Sequence, residues 1–330
     1  MKKTKKKTLT IGITGAAGFI GSNLCQKLAT ASNHKIIGVD NLSRGEIKNL
    51  EGLQKSKNFH LFKIDVCDLQ KLSKVLKGVD VIVHLAAYKI PRFGDRLDVL
   101  INNTKTTQNV LEIAKNNKAT VIFISSSDIY GKNPKLPFKE DADIVLGPTD
   151  IARWSYAVSK IFDEHLCFGY SERYTVPFVI LRLFNVYGPR QNRNWLGGAQ
   201  SEFIDALLSG QPLKIHGTGK QTRSYTYVED IADAIIKCID NPKVIGKVIN
   251  IGNTTEIAVD KFASIIAKTL KKPLRAKKIS HLALTGRKYD EVQKRRPEIT
   301  LAKKIIKWKP TTPLSVGLKN TINWHIKNPL

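Results

Sequence analysis

The chain has 330 residues, 42% of them apolar, and no apolar run approaches the roughly 20 residues of a membrane-spanning helix, so a soluble, cytoplasmic protein is expected. Its 54 Lys and Arg against 28 Asp and Glu leave a net charge of +26, which suits a lysine-rich solvated surface around phosphate-bearing ligands; nucleic-acid binding is the other reading of such a balance. Scattered cysteines (Cys25, Cys67, Cys167, Cys238) and histidines without ligand spacing argue against a disulfide framework and a zinc site, and no metal is expected.

A basic tail over residues 1–8, with KKTKKK at Lys2–Lys7, is expected to be disordered. The first strand, Leu9–Ile13, runs into Thr14–Gly21 (TGAAGFIG), where Gly15, Gly18 and Gly21 are three apart. Glycine there permits a sharp turn and brings peptide N–H groups close to a ligand, and the following helix, predicted over Ser22–Thr30, aims its positive end at an anion. The spacing reads as a cradle for a dinucleotide pyrophosphate, although standing alone it is equally an ordinary strand-to-helix turn. A second strand, Lys35–Val39, ends in Asp40, a carboxylate placed to accept from an adenosine ribose and to repel a 2′-phosphate. NAD is therefore expected rather than NADP, with Arg44 the nearby residue that would soften the preference.

A third strand, Phe59–Ile64, delivers Asp65 and Val66 toward an adenine edge, and Asp80–Leu85 is continuously apolar, as in a parallel sheet covered on both faces. It leads to Ala86 and Ala87, small enough for a cofactor to approach, while His84 at its end is expected to be a structural cap. A helix over Asn103–Lys115 and a strand over Thr120–Ser125 continue an alternation that implies right-handed crossovers and a doubly wound α/β sheet. Ser125–Gly131 (SSSDIYG) then falls at a carboxyl strand end, where ligand crevices form. The helix predicted over Arg153–Ser171 carries Tyr156 and Lys160 four apart on one face, and a neighbouring ammonium lowers a phenol's pKa toward the range of a general base. After a strand at Val176–Arg182 the chain changes character. An irregular Gln191–Ala199 precedes a helix over Gln200–Leu208, and short strands at Ser224–Val228 and Val248–Ile251 flank a helix over Val228–Asp240. The remainder beyond Ile257 reads as mostly helical. This gives a nucleotide-binding domain over 9–184 and a smaller, interleaved lobe over 185–330. Trp154, Trp195, Trp308 and Trp324 are expected to pack, with bordering the ligand the other reading for Trp195 in its irregular loop.

These residues resemble the extended short-chain dehydrogenase/reductase superfamily and, within it, the nucleotide-sugar epimerases, decarboxylases and dehydratases. The likeness rests on TGAAGFIGS at Thr14–Ser22, Asp40, Asp65-Val66, HLAA at His84–Ala87, SSSDIYG, and YAVSK at Tyr156–Lys160. RLFNVYGPR at Arg182–Arg190 and RSYTYVEDIADA at Arg223–Ala234 extend it into the second lobe. The resemblance implies a Rossmann-type fold that keeps NAD bound, with Gly15, Gly18, Phe19, Ile20, Gly21, Asp40, Asn41, Asp65, Val66, Leu85, Ala86, Ala87, Lys89 and Asn103 at the cofactor. It also implies that Tyr156 takes the proton of a sugar 4-hydroxyl, that Ser126 bonds the same hydroxyl, and that Lys160 holds the nicotinamide ribose and biases Tyr156 toward phenolate. Ser127, Asn185, Arg223 and Arg287 fall at positions that bind the nucleotide-sugar.

Three chemistries share that start. A 4,6-dehydratase would be expected to follow Ser126 with an Asp-Glu pair, where Ser127-Asp128 offers one carboxylate. A UDP-glucuronate decarboxylase places Glu at the position of Asp128 and an arginine at that of Arg295, and Arg153-Trp154 is similar to some decarboxylases. A UDP-hexose 4-epimerase needs no carboxylate at Asp128; it is the first expectation, with decarboxylation second. The resemblance further implies a homodimer paired through the helices at Asn103–Lys115 and Arg153–Ser171.

Overall fold

The computed structural model describes residues 8–89, 95–193 and 198–329; the basic tail, Trp195 and part of the loop after Lys89 lie outside them. The first half alternates as expected: β1 (Thr10–Thr14), α1 (Phe19–Ala31), β2 (Lys35–Asp40), β3 (Phe59–Lys63), α2 (Leu69–Val75), β4 (Val81–His84), α3 (Arg96–Asn117), β5 (Thr120–Ser126), α4 (Trp154–Tyr174) and β6 (Phe178–Leu183). Then come β7 (Val186–Tyr187), α5 (Ala199–Leu208), β8 (Leu213–His216), β9 (Thr222–Arg223), β10 (Thr226–Tyr227), α6 (Val228–Cys238) and β11 (Lys247–Ile251). The chain ends through β12 (Ile257–Ala258), α7 (Val259–Leu270), β13 (Ala276–Ile279), α8 (His281–Thr285), α9 (Thr300–Ile305) and α10 (Leu314–Lys327).

Seven strands form one parallel sheet in the order β11-β6-β5-β4-β1-β2-β3. The order reverses between β1 and β4, and the crevice beyond the strand ends at such a reversal is where this architecture binds ligands. Apolar side chains cover both faces. Leu24, Leu28, Ile231 and Ile235 pack on one, and Val110, Leu111, Ile113 and Cys167 on the other. The smaller lobe has its own core around Phe203, Ile204, Leu318 and Phe262, the last stacked on Tyr225 at 3.7 Å.

Several assignments differ from the sequence expectation. α1 starts at Phe19 rather than Ser22, because the Ser22 N–H already bonds the Gly18 carbonyl at 2.9 Å. α3 starts seven residues early, at Arg96, where the Asp95 side chain accepts from the Leu97 amide as a helix cap. β11 belongs to the main sheet, beside β6, so the second half returns to the first to complete it. Within the segment read as helical, β13 pairs with β8.

Candidate active site

A cavity of about 460 Å³ crosses the carboxyl ends of the central strands and extends under the smaller lobe. Its first half is the glycine turn. Gly15 has φ +72°, and a Cβ there would lie 2.9 Å from the Ala86 nitrogen; one on Gly21 would lie 2.1 Å from the Gly15 carbonyl oxygen. The close approach of strand, turn and helix thus requires glycine. Gly18 caps α1 without any side-chain bond and the first turn carries no acid, so its amide groups stay open to an anion. The buried Asp40 accepts from the Ala17 amide at 2.9 Å and the Leu42 amide at 2.8 Å, one on each oxygen, leaving a lone pair on each for ribose hydroxyls. Burial raises its carboxyl above the usual range. Phe19, Ile20, Asn41, Asp65, Val66, Leu85, Ala86, Ala87 and Lys89 complete this wall, with the Asn41 amide donating to Asp65 at 2.9 Å. The residues present fit NAD. Gly21→Ala is expected to weaken NAD binding by more than about tenfold, measured by calorimetry, because the turn would have to open to admit the methyl group.

His84 is a structural residue, as expected. Its Nδ1 lies 2.7 Å from the Thr14 hydroxyl, which itself accepts from the Leu85 and Ala86 amides, and burial followed by the Lys160 charge pushes the imidazole down to about 3. Asn103, expected at the cofactor, is buried on α3. It does not line the cavity; its side chain accepts from the Tyr88 amide at 2.7 Å and donates to the Tyr88 carbonyl and to Ser159, pinning the segment before Lys89 to α4. Arg287, expected at the nucleotide-sugar, is exposed after α8 and is not among the residues lining the cavity.

The second half of the cavity gathers Ser126 and Ser127 from the end of β5, Asp128 just beyond, and Tyr156 and Lys160 from α4. The Lys160 ammonium sits 4.5 Å over the Phe123 ring. The expected lowering of the Tyr156 pKa is not found in the protein alone. Burial and then the Asp128 charge raise the phenol above its usual value, against a contribution from the Ser126 hydroxyl. Burial likewise lowers Lys160.

Asp128 meets two guanidinium groups, Arg295 at 2.7 Å and Arg153 at 3.2 Å. Burial alone would raise its carboxyl, but Arg295 and Arg153, with Lys89 and Arg223 behind them, hold it well below the usual carboxylate range. Arg153 is fixed between the Trp154 ring at 4.8 Å and the Tyr289 ring at 5.0 Å and donates to the Asp290 carbonyl at 2.7 Å. The sequence marked it only through likeness to decarboxylases. Arg223 pairs with Glu291, which also contacts His281 at 2.8 Å. Glu291 lines the cavity yet was missed, since its partners lie far away in the chain. The Asn185 side-chain oxygen is buried beside the cavity without a partner among the described residues, an opening for a ligand donor.

With this geometry in place, the comparisons with known proteins are specific. The model of the NAD dependent epimerase/dehydratase family matches residues 11–252. A UDP-N-acetyl-alpha-D-glucosaminuronate decarboxylase of Bacillus cytotoxicus is 35% identical, over 97% of this chain and 98% of its own. Among solved structures, a UDP-N-acetylglucosamine 4-epimerase from Methanobrevibacter ruminantium superposes with a TM-score of 0.87 at 30% identity, covering 98% of this chain and 100% of that one. A UDP-glucuronic acid 4-epimerase from Bacillus cereus, in complex with UDP-glucuronic acid and NAD, gives 0.86 at 31%, covering 97% and 99%. The chain is therefore an NAD-dependent enzyme and belongs to the NAD dependent epimerase/dehydratase family.

Proposed function

We propose that the substrate is a UDP-hexuronate and that the enzyme oxidises its C4 and releases its C6 carboxyl group as CO₂. The observation that carries this reading is the excess of buried positive charge beside Ser126. Arg295 and Arg153 both turn to the single carboxylate of Asp128, with Lys89 close enough to act on it. Buried cations without matching anions are costly, and a neutral hexose brings no charge to this end of the cavity, whereas a uronate brings one carboxylate to two guanidinium forks. The sequence alone ranked 4-epimerisation of a UDP-hexose first; this cluster moves the preference.

Tyr156 removes the proton of the 4-hydroxyl while Ser126 orients that oxygen. Bound NAD supplies the acceptor for the C4 hydride. The product is a β-keto acid, whose C5–C6 bond breaks with its electron pair passing to the C4 oxygen. Tyr156, now protonated, and Ser126 donate to that oxygen as its charge grows. Asp128 stands beside the carboxylate being lost, so its repulsion is greatest before the bond breaks and relaxes as charge moves away, which lowers the barrier. A proton then enters at C5, the hydride returns to C4, and Tyr156 gives its proton back to the oxygen. The net reaction converts uronate and one proton into pentose and CO₂.

The test is product analysis by NMR after incubation with UDP-glucuronate, UDP-N-acetylglucosaminuronate and UDP-glucose. Release of CO₂ from a uronate is expected; turnover of UDP-glucose alone would refute the proposal. C4 inversion of the same uronate without CO₂ is the second reading, favoured by the likeness to the Bacillus cereus epimerase.

A homodimer is part of the proposal. α3 and α4 pack side by side and present apolar pairs one turn apart to solvent, Leu97 and Ile101 on one and Val158 and Phe162 on the other. Phe162 is 51% exposed. Phe162→Asp should halve the mass seen by light scattering while leaving the fold unchanged by circular dichroism; an unchanged mass would place the interface elsewhere.

A further inference from the structure

Asp163 lies one turn beyond Lys160 on α4 and takes no part in the chemistry above. It is completely buried at 0% exposure; neither carboxylate oxygen meets hydrogen-bond geometry with a partner among the described residues, and the Thr107 hydroxyl is the one polar side chain close enough to favour its charged form. Such a group is costly unless a cation or a polar neighbour compensates it. Lys160, itself buried and three residues earlier on the same helix, is the cation whose charge acts on it. Against burial, which lowers Lys160, attraction to Asp163 is the foremost effect keeping the ammonium charged. At Asp163 burial comes first and pushes the carboxyl up to about 6, with Lys160 the foremost opposing influence.

The other titratable groups around the pair are already committed or neutral. Glu164 accepts from the Ser125 hydroxyl at 2.5 Å, and from Arg182 at 3.0 Å on one oxygen and 2.7 Å on the other. His84 on β4 is neutral, and burial raises the Cys167 thiol out of the ionising range, helped by Asp163. The Thr107 hydroxyl of α3 faces Asp163 and lies 3.3 Å from His84 Nε2. Tyr156 sits one turn before Lys160 and feels the Asp163 charge. The Phe123 ring under the ammonium attracts it without cancelling its charge. Of the two carboxylates next to Lys160, Asp163 is the one left to balance it.

We propose that Asp163 is the internal counter-ion of Lys160, a positioning residue that keeps the ammonium charged and held between Tyr156 and the cofactor. This rests on the assignment of Lys160 to the cofactor ribose and is independent of which sugar is turned over. Without Asp163, the ammonium gives up its proton at lower pH and its hold on the cofactor goes with it.

The first arm of the test is a double-mutant cycle read by thermal unfolding of the full chain. Asp163→Asn and Lys160→Met should each lower the midpoint, and the double variant should recover most of the loss, because each single change strands a buried charge and the double change strands none. Additive losses would overturn the pairing. If Asp163→Asn alone does not fold, recovery of folded protein on adding Lys160→Met supports the proposal, and an unfolded double variant overturns it. The second arm is NAD affinity by calorimetry from about pH 7 to about pH 10, in which Asp163→Asn should fall away from the wild type as pH rises, by about tenfold for each unit by which Lys160 drops. A curve parallel to the wild type, whether level with it or uniformly weaker, would overturn the role assigned here. Neither arm uses a sugar, so a wrong substrate leaves both readable.

Discussion

Tyr156→Phe is expected to reduce turnover by about 10³-fold while leaving NAD binding unchanged and sugar binding within a few-fold. The phenol is buried beside Ser126 at the end of β5, and the one histidine among the described residues lining the cavity, His216, comes from β8 of the smaller lobe rather than from the strand ends that carry Ser126 and Tyr156. Phenylalanine keeps the ring and its packing, so the change removes a proton acceptor and little else. Because burial and Asp128 hold the phenol above its usual pKa in the protein alone, the ionised form is scarce at neutral pH, and wild-type kcat/KM should climb as pH rises from about 6 to about 9. The variant's residual rate should be flat over that range. Stopped-flow absorbance of reduced cofactor separates C4 oxidation from later steps; retained oxidation in the variant would remove Tyr156 from the role of base.

The parts of the site that were legible in the sequence are those set by short-range geometry. Gly15 and Gly21 announce a turn because no side chain fits their positions without displacing backbone, and Tyr156 and Lys160 announce a shared face because helical spacing puts residues four apart together. Asp40 is legible as the last residue of a strand whose ligand end is fixed by the alternation around it. What escaped depends on contacts between distant segments. Arg153 reaches Asp290 across 137 positions, and Glu291 reaches Arg223 across 68, so neither pairing leaves a periodic trace. Asn103 was singled out by resemblance, and its bonds to Tyr88 and Ser159 are a further long-range detail that the sequence does not show. The Tyr156 pKa was misjudged because spacing reports who is adjacent but not how deeply they are buried. Asp163 went unnoticed because a carboxylate three residues after a lysine on a helix usually marks a solvated ion pair, and only the structure places both inside.

The two partners across the Asp128–Arg295 contact should fail in opposite ways. Arg295→Met removes a fork that would hold the uronate carboxylate and leaves Asp128 with Arg153 alone, so KM for a UDP-hexuronate should rise by about 10²-fold, equivalent to the loss of a charge-assisted bond worth about 2–3 kcal/mol. Asp128→Asn deletes a negative charge beside that carboxylate and frees both guanidinium groups, so the substrate should bind more tightly and KM should fall. The same change removes the repulsion that CO₂ release relieves, and kcat for decarboxylation should fall by about 10²-fold. A carboxylate that merely supported the fold would raise KM or lower stability when neutralised. Initial rates of CO₂ release against substrate concentration, with NMR detection of any 4-keto sugar that builds up, distinguish these outcomes. A rise in KM for Asp128→Asn would mean that its charge serves only to position Arg295 and Arg153, and full decarboxylation in that variant would remove Asp128 from the step that releases CO₂. The paired signs follow from one arrangement, a single carboxylate shared by two buried arginines at the sugar end of the cavity.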